Sequence, residues 1–112
     1  ELQVSSHLLI ERNGSIIQFV PFNKKAWHAG ISKFQGRENC NEFSIGIELE
    51  GTDNLDYTKN QYESLVEATK EIMKVYPAIS KENIVGHSDI APDRKTDPGD
   101  SFNWNLYLHN LV

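Results

Sequence analysis

The segment Gly86-His87-Ser88-Asp89-Ile90-Ala91-Pro92-Asp93-Arg94-Lys95-Thr96-Asp97-Pro98-Gly99 gathers one histidine, three aspartates and two cations, and two prolines stiffen it. Imidazole and carboxylate are both zinc ligands, and a catalytic zinc site takes three protein ligands plus a water. His87 and Asp97 converge if this loop folds back on itself. The same residue types also suit a turn held by Asx bonds and surface ion pairs, so the segment alone leaves both readings open.

A second candidate lies in Ser44-Ile45-Gly46-Ile47-Glu48-Leu49-Glu50, whose strict alternation predicts a strand. Ile45, Ile47 and Leu49 share one face, and Gly46, Glu48 and Glu50 share the other. Glu48 reaches into a cleft if that face borders one, with Gly46 clearing space beside it; otherwise it belongs to a solvated strand face. Glu50 lies about 7 Å further along the same face, and spacing does not choose between them. Among the histidines, His87 has the best context for a ligand. His28, beside Trp27, suits a groove wall or a packed loop anchor. His7 opens the first strand and reads as a hydrogen-bonded core histidine, and His109 reads as surface. Lys24, Lys25, Lys33 and Arg37 give the loop between them a basic character that suits an anionic ligand or plain solvent.

These residues need elements to position them. His7–Arg12 and Ser15–Val20 read as strands around Asn13-Gly14, a strong hairpin signal because both residues tolerate positive φ. Residues 21–42 lose periodicity and predict a long loop carrying Trp27, His28, Gly30, Gly36 and Arg37, of a length that is commonly functional. Thr58–Tyr76 is the clearest helix. Thr58 and Gln61 form a capping box, and Tyr62, Leu65, Val66, Thr69, Ile72, Met73 and Tyr76 make a stripe that reads as core. Pro77 ends it. Asn83–Gly86 reads as a short strand leading to His87, residues 88–100 as loop, and Ser101 as the cap of a last helix through Trp104, Leu108 and Leu111. The order β-β-loop-β-α-β-loop-α predicts an α/β fold, a mixed central sheet flanked by helices, in one domain over residues 1–112.

Composition narrows the function. With 112 residues and 38% hydrophobic content the chain supports one modest core. A formal charge of −5 argues against sequence-independent binding to nucleic acid or membrane. The single cysteine, Cys40, allows no intrachain disulfide and suits a reducing cytosol. No apolar run approaches the roughly 18 residues of a membrane span.

Taken in order, Val4-Ser5-Ser6-His7, Asn13-Gly14, Val20-Pro21-Phe22, Ala26-Trp27-His28-Ala29-Gly30, Ser44 to Gly51, Gly86-His87 and Arg94 to Gly99 resemble the N-acetylmuramoyl-L-alanine amidases. That family includes phage amidase-lysozymes and peptidoglycan recognition proteins. Gln35-Gly36-Arg37-Glu38, Cys40-Asn41, Gly46 to Asp53 and Asp89 to Gly99 look like its AmpD-type, 1,6-anhydro branch. The resemblance spans essentially the whole chain. It implies a zinc enzyme of the bacterial cytoplasm, monomeric, that cuts the amide between the lactyl group and L-alanine of a 1,6-anhydro-N-acetylmuramoyl peptide during peptidoglycan recycling. His87 and Asp97 match two of three zinc ligands, Glu48 the catalytic carboxylate, and Lys95 the cation at the developing oxyanion. Arg94 matches a residue that helps hold the substrate's carboxylates, and Trp27 and His28 border the groove.

One departure stands out. The family's first zinc ligand is a strand histidine well before the Val-Ser-x-His motif, where this sequence starts, so the expectation is a family domain lacking its N-terminal strand. The third ligand then comes from that segment or from a local residue such as His7. Gln3 stands where close relatives carry an arginine thought to contact substrate. A non-catalytic muropeptide-binding module is the first rival reading, and a glycosidase using Glu48 and Glu50 the second. Loss of catalysis on removing zinc separates the amidase from both.

Overall fold

In the computed structural model, which describes residues 6–29, 31–52 and 54–111, the Asn13-Gly14 turn does what its sequence predicts. Gly14 takes φ +91°, its N–H donates to the Glu11 carbonyl at 2.8 Å, and Asn13 Oδ1 accepts from the Ser15 N–H at 2.9 Å. The turn joins β1 (Leu8–Ile10) to β2 (Ile16–Gln18), which pair antiparallel with Leu9 opposite Ile17. Val4, Ser5, Gln3, Gly30 and Asp53, which the motifs include, lie outside the described residues.

On its other side β1 pairs in parallel with β5 (Ile47–Leu49), in the register Leu8–Ile47, Leu9–Glu48 and Ile10–Leu49. The sheet is therefore mixed, in the order β2-β1-β5. Pleating sends Ile10, Ile47 and Leu49 into a core with Leu65, Phe102, Tyr107 and Leu111. His7, Leu9, Gly46 and Glu48 take the opposite parity. The sheet thus separates an apolar face, covered by helices, from a face free to carry chemistry.

Those helices are α1 (Lys59–Val75) and α3 (Trp104–His109). The Thr58–Gln61 capping box forms as expected, with Gln61 N–H donating to Thr58 Oγ1 at 3.1 Å and Thr58 N–H to Gln61 Oε1 at 3.0 Å. Gln61 does more than cap. Its Nε2 donates to the carbonyls of Ile10 (3.2 Å) and Glu50 (2.8 Å), and its Oε1 accepts from Arg12 Nη1, so one buried amide ties α1 to β1 and to the end of β5. Gln61→Ala removes the side-chain donor to the Glu50 carbonyl and one of two donors to the Ile10 carbonyl, which keeps the Glu50 N–H at 2.9 Å. A loss of about 2 kcal/mol is expected in urea unfolding; an unchanged midpoint would show that water replaces these bonds without cost.

Three local expectations need correction. Residues 21–42 are not one long loop: they hold a small hairpin, β3 (Lys33–Phe34) with β4 (Arg37–Glu38), and a 3-10 turn at Cys40–Glu42. Its tight turn places Gln35 and Gly36 at φ 50° and 83°, and glutamine carries a weak signal for positive φ. Asn83–Gly86 is not a strand: a 3-10 turn spans Lys81–Asn83, and a short helix, α2 (His87–Ile90), begins where loop was expected. Asp89 stabilises that start, its carboxylate accepting the Gly86 N–H at 2.8 Å. The last helix is capped by Asn103, whose Oδ1 accepts from Leu106 N–H at 3.0 Å, and not by Ser101.

Candidate functional site

His7 is fully buried and both of its ring nitrogens are engaged. Nδ1 accepts the Gly46 N–H at 3.1 Å, so the proton resides on Nε2, which donates to the Lys24 carbonyl at 2.7 Å. The imidazole ties β1 to the start of β5 and to the 21–29 loop. With no lone pair left for a cation, it does not act as the substitute third ligand.

His28 packs against it, ring centroids 5.7 Å apart, in a slot that exists because residue 46 is glycine. Its Nε2 lies 2.8 Å from Ser44 Oγ and its Nδ1 3.2 Å from the Ala26 carbonyl. Burial lowers its pKa to about 4, and the neighbouring His7 and His87 imidazoles push the same way. Unfolded, the group titrates near 6.5, so below that pH the unfolded chain binds the extra proton. Stability is therefore expected to fall as pH drops from about 6.5 towards 4. Urea midpoints measured across that range should decline more steeply in the native chain than in His28→Gln; parallel curves would remove His28 as the cause.

His87 and Asp97 do converge. His87 Nδ1 stands 3.3 Å from Asp97 Oδ2, while Nε2 donates to the Ala29 carbonyl at 2.9 Å. The Ser88 N–H donates to the Asp97 carbonyl at 3.0 Å, which closes the loop back onto α2. Gly86 permits the approach, because a Cβ there would lie 2.7 Å from Pro98 Cδ. Both nitrogens of His87 thus face oxygen acceptors, yet a neutral imidazole has one N–H. The pair is completed by a second, shared proton or by a cation between Nδ1 and Oδ2.

Two ligands on a tetrahedral zinc, with bonds of about 2.0–2.1 Å, stand roughly 3.3–3.4 Å apart. The observed spacing matches, and a bond from the other ring nitrogen to a carbonyl is the usual outer contact of a ligating histidine. The donors therefore fit zinc as two of its three ligands. Among the described residues no group of three or more His, Cys, Asp or Glu side chains is arranged to hold a metal ion.

The remaining candidates differ in how they are held. Glu48 is exposed on β5, and among the described residues its carboxylate has no hydrogen bond or ion pair. Glu50, by contrast, accepts the Arg12 N–H at 2.8 Å and belongs to the frame. Lys95 is exposed, its backbone fixed by an N–H bond to the Ala91 carbonyl at 2.9 Å. Trp27 is 45% exposed, with Lys25 Nζ 4.1 Å from its ring centroid. Arg94, which the resemblance places at a substrate carboxylate, has its guanidinium on protein carbonyls: Nη2 donates to those of Ala29 (2.7 Å) and Ile31 (2.9 Å). Arg37 lies over the Phe43 ring, and Lys25 pairs with Glu42, so much of the loop's basic charge is engaged. Shallow hollows at Asp56 and Asp100–Asn105, and beside Lys81 and His109, share no lining residue with this cluster.

Sequence reasoning missed the carbonyl of Ala29 and the Asn41 side chain that holds it, Asn41 Oδ1 accepting the Ala29 N–H at 2.7 Å. A main-chain ligand partner leaves no residue signature. The Asn41 contact spans twelve positions of irregular chain, where periodicity gives no guidance.

The histidine–aspartate pair at α2 and its loop, and a glutamate on β5 without a partner among the described residues, sit on a mixed α/β fold. The chain belongs to the N-acetylmuramoyl-L-alanine amidase family, whose sequence profile matches residues 1–100. It is 62% identical to the 1,6-anhydro-N-acetylmuramyl-L-alanine amidase AmpD of Escherichia coli K12 over 103 residues, covering 92% of this chain and 56% of that protein. It is 59% identical to the AmpD of Haemophilus influenzae, covering 99% of this chain and 60% of that one. A crystal structure of an AmpD selenomethionine derivative superposes with a TM-score of 0.94 at 57% identity, over 99% of this chain and 62% of the other. The E. coli amidase AmiD, solved in complex with the substrate anhydro-N-acetylmuramic acid-L-Ala-D-gamma-Glu-L-Lys, superposes at 0.87 with 39% identity, over 98% of this chain and 49% of that one. The chain thus spans a little over half the length of the curated AmpD proteins it matches. Among the described residues, no helix is long and apolar enough to cross a membrane.

Proposed function

We propose that this chain carries the catalytic face of a zinc-dependent amidase acting on (1,6-anhydro-)N-acetylmuramoyl peptides. The bond cut is the amide between the lactyl group and L-alanine, in the service of peptidoglycan recycling by a monomeric protein of the bacterial cytoplasm. The observation that carries this reading is the 3.3 Å approach of His87 Nδ1 to Asp97 Oδ2, with Nε2 anchored on a carbonyl. The AmiD complex supports the substrate class, as its bound ligand is an anhydromuramyl peptide.

His87 and Asp97 would hold the metal with a third ligand from outside the described residues. Zinc held there would supply Lewis-acid chemistry towards the scissile carbonyl and a more acidic water. The Glu48 carboxylate takes a proton from the attacking water and passes it to the departing amine of L-alanine. The Lys95 ammonium donates to the oxygen that becomes negative in the tetrahedral transition state, where a fixed cation is worth most. Trp27 and His28 border the substrate groove. Lys95→Ala should lower turnover about 10²–10³-fold and leave zinc content unchanged; zinc loss in that variant would contradict the assignment.

Mass analysis of an anhydromuropeptide incubated with this chain, with zinc and with chelator, tests the whole reading. Free peptide and anhydro sugar released only with zinc are expected. Cleavage that survives chelation would overturn the zinc mechanism. Binding without cleavage under either condition would favour a muropeptide-binding module, the reading that a two-ligand set supports.

A further inference from the structure

Arg94 and His87 hold the same oxygen. His87 Nε2 donates to the Ala29 carbonyl at 2.9 Å and Arg94 Nη2 donates to it at 2.7 Å, so both lone pairs of that oxygen are used. Arg94 also reaches the next described carbonyl, that of Ile31, through Nη2 at 2.9 Å and Nε at 3.3 Å. The Ile31 side chain is 82% exposed and gives the loop no apolar anchor there. Ala29 itself is buried, and the polar contacts that seat this stretch are Asn41 on the Ala29 N–H and Arg94 on the two carbonyls. Arg94 is itself fixed to the segment that carries His87, its N–H donating to the Ala91 carbonyl at 3.0 Å.

We propose that Arg94 is a positioning residue for His87: by clamping the Ala29 carbonyl it fixes the imidazole with Nε2 protonated and Nδ1 turned towards Asp97. The guanidinium is suited to this because its planar fork satisfies two carbonyls at once, which a lysine ammonium does not reproduce. Metal-ligating histidines depend on such outer partners, and removing one commonly weakens metal binding 10–100-fold. The inference rests on the reading of His87 as a ligand, but its main test needs neither metal nor substrate.

The test is NMR of the 112-residue chain labelled with 15N-histidine, comparing native protein with Arg94→Gln and Arg94→Lys. The native chain should show one His87 ring environment with Nε2 protonated and that ring N–H exchanging slowly, whether or not Nδ1 shares a proton with Asp97. Arg94→Gln should lose that protected signal while circular dichroism and the urea midpoint stay near native, and Arg94→Lys should fall between. Competition with a chromophoric chelator should show zinc held about 10–100-fold more weakly in Arg94→Gln. An unchanged His87 ring spectrum in folded Arg94→Gln overturns the proposal, whatever happens to activity. A raised KM for anhydromuropeptide with that spectrum unchanged would return Arg94 to substrate binding. Failure of the amidase reading alone would leave the native His87 signal intact and the chain inactive, so the two failures are distinguishable.

Discussion

Glu48→Gln is expected to reduce zinc-dependent cleavage of an anhydromuropeptide about 10²–10⁴-fold, the range for loss of a general acid–base group, while leaving the thermal midpoint and zinc content as they were. The stability half follows from what the carboxylate touches. Glu48 sits on the sheet face opposite Ile10, Ile47 and Leu49, and among the described residues it has no hydrogen bond or ion pair. Changing one carboxylate oxygen to an amide nitrogen leaves the strand's shape and burial intact. The catalytic half follows because an amide does not accept and return a proton at neutral pH, so proton transfer is lost and binding is spared. Glu50→Gln is the internal control with the opposite pattern. It weakens the acceptor of the Arg12 N–H at the cost of at most about 1 kcal/mol and keeps turnover. Steady-state kinetics and melting of the two variants decide between them. If Glu50→Gln were the inactive one, the choice of carboxylate would be reversed; equal, near-native activity in both would remove Glu48 as the base.

Where local rules govern, the fold was legible. Asn13-Gly14 specified its hairpin through backbone conformation, Thr58 and Gln61 specified the start of α1 through reciprocal hydrogen bonds, and strict alternation specified β5. The failures occur where tertiary contacts override local preference. The Asn83–Gly86 segment reads as strand, but Ile84 packs against the core from outside the sheet, and a Cβ at Gly86 would run into Pro98 and Trp104. The site was legible by type and not by partner. Residue chemistry and family resemblance picked out His87 and Asp97, and the structure brings them together. Neither revealed that Arg94 turns onto the loop, since a guanidinium suits carbonyls and carboxylates alike and sequence does not say which is nearer.

Gly46 joins both halves of this account. A Cβ at residue 46 would lie 2.4 Å from His28 Cγ and 2.9 Å from His28 Cβ, distances real side chains do not adopt. His28 has little room to yield, because Ser44 Oγ and the Ala26 carbonyl hold its ring on opposite sides and His7 packs against it. Nor does β5 move freely, since the Gly46 N–H donates to His7 and its carbonyl accepts the His7 N–H at 2.9 Å. Gly46→Ala should therefore cost about 3 kcal/mol, the upper part of the range for overpacking a rigid interior, and lower the melting midpoint by roughly 10 °C or more. The damage should also reach chemistry. Moving His28 displaces the 26–29 loop, and with it the Ala29 carbonyl on which His87 rests. Melting curves give the first effect and the ring N–H signal of His87 gives the second. A variant that melts like the native chain would mean that the loop yields cheaply, and His28 would then not be the rigid wall described. A variant that is destabilised but keeps the His87 signal would separate the two, leaving Arg94 and Asn41 as the groups that hold the carbonyl in place.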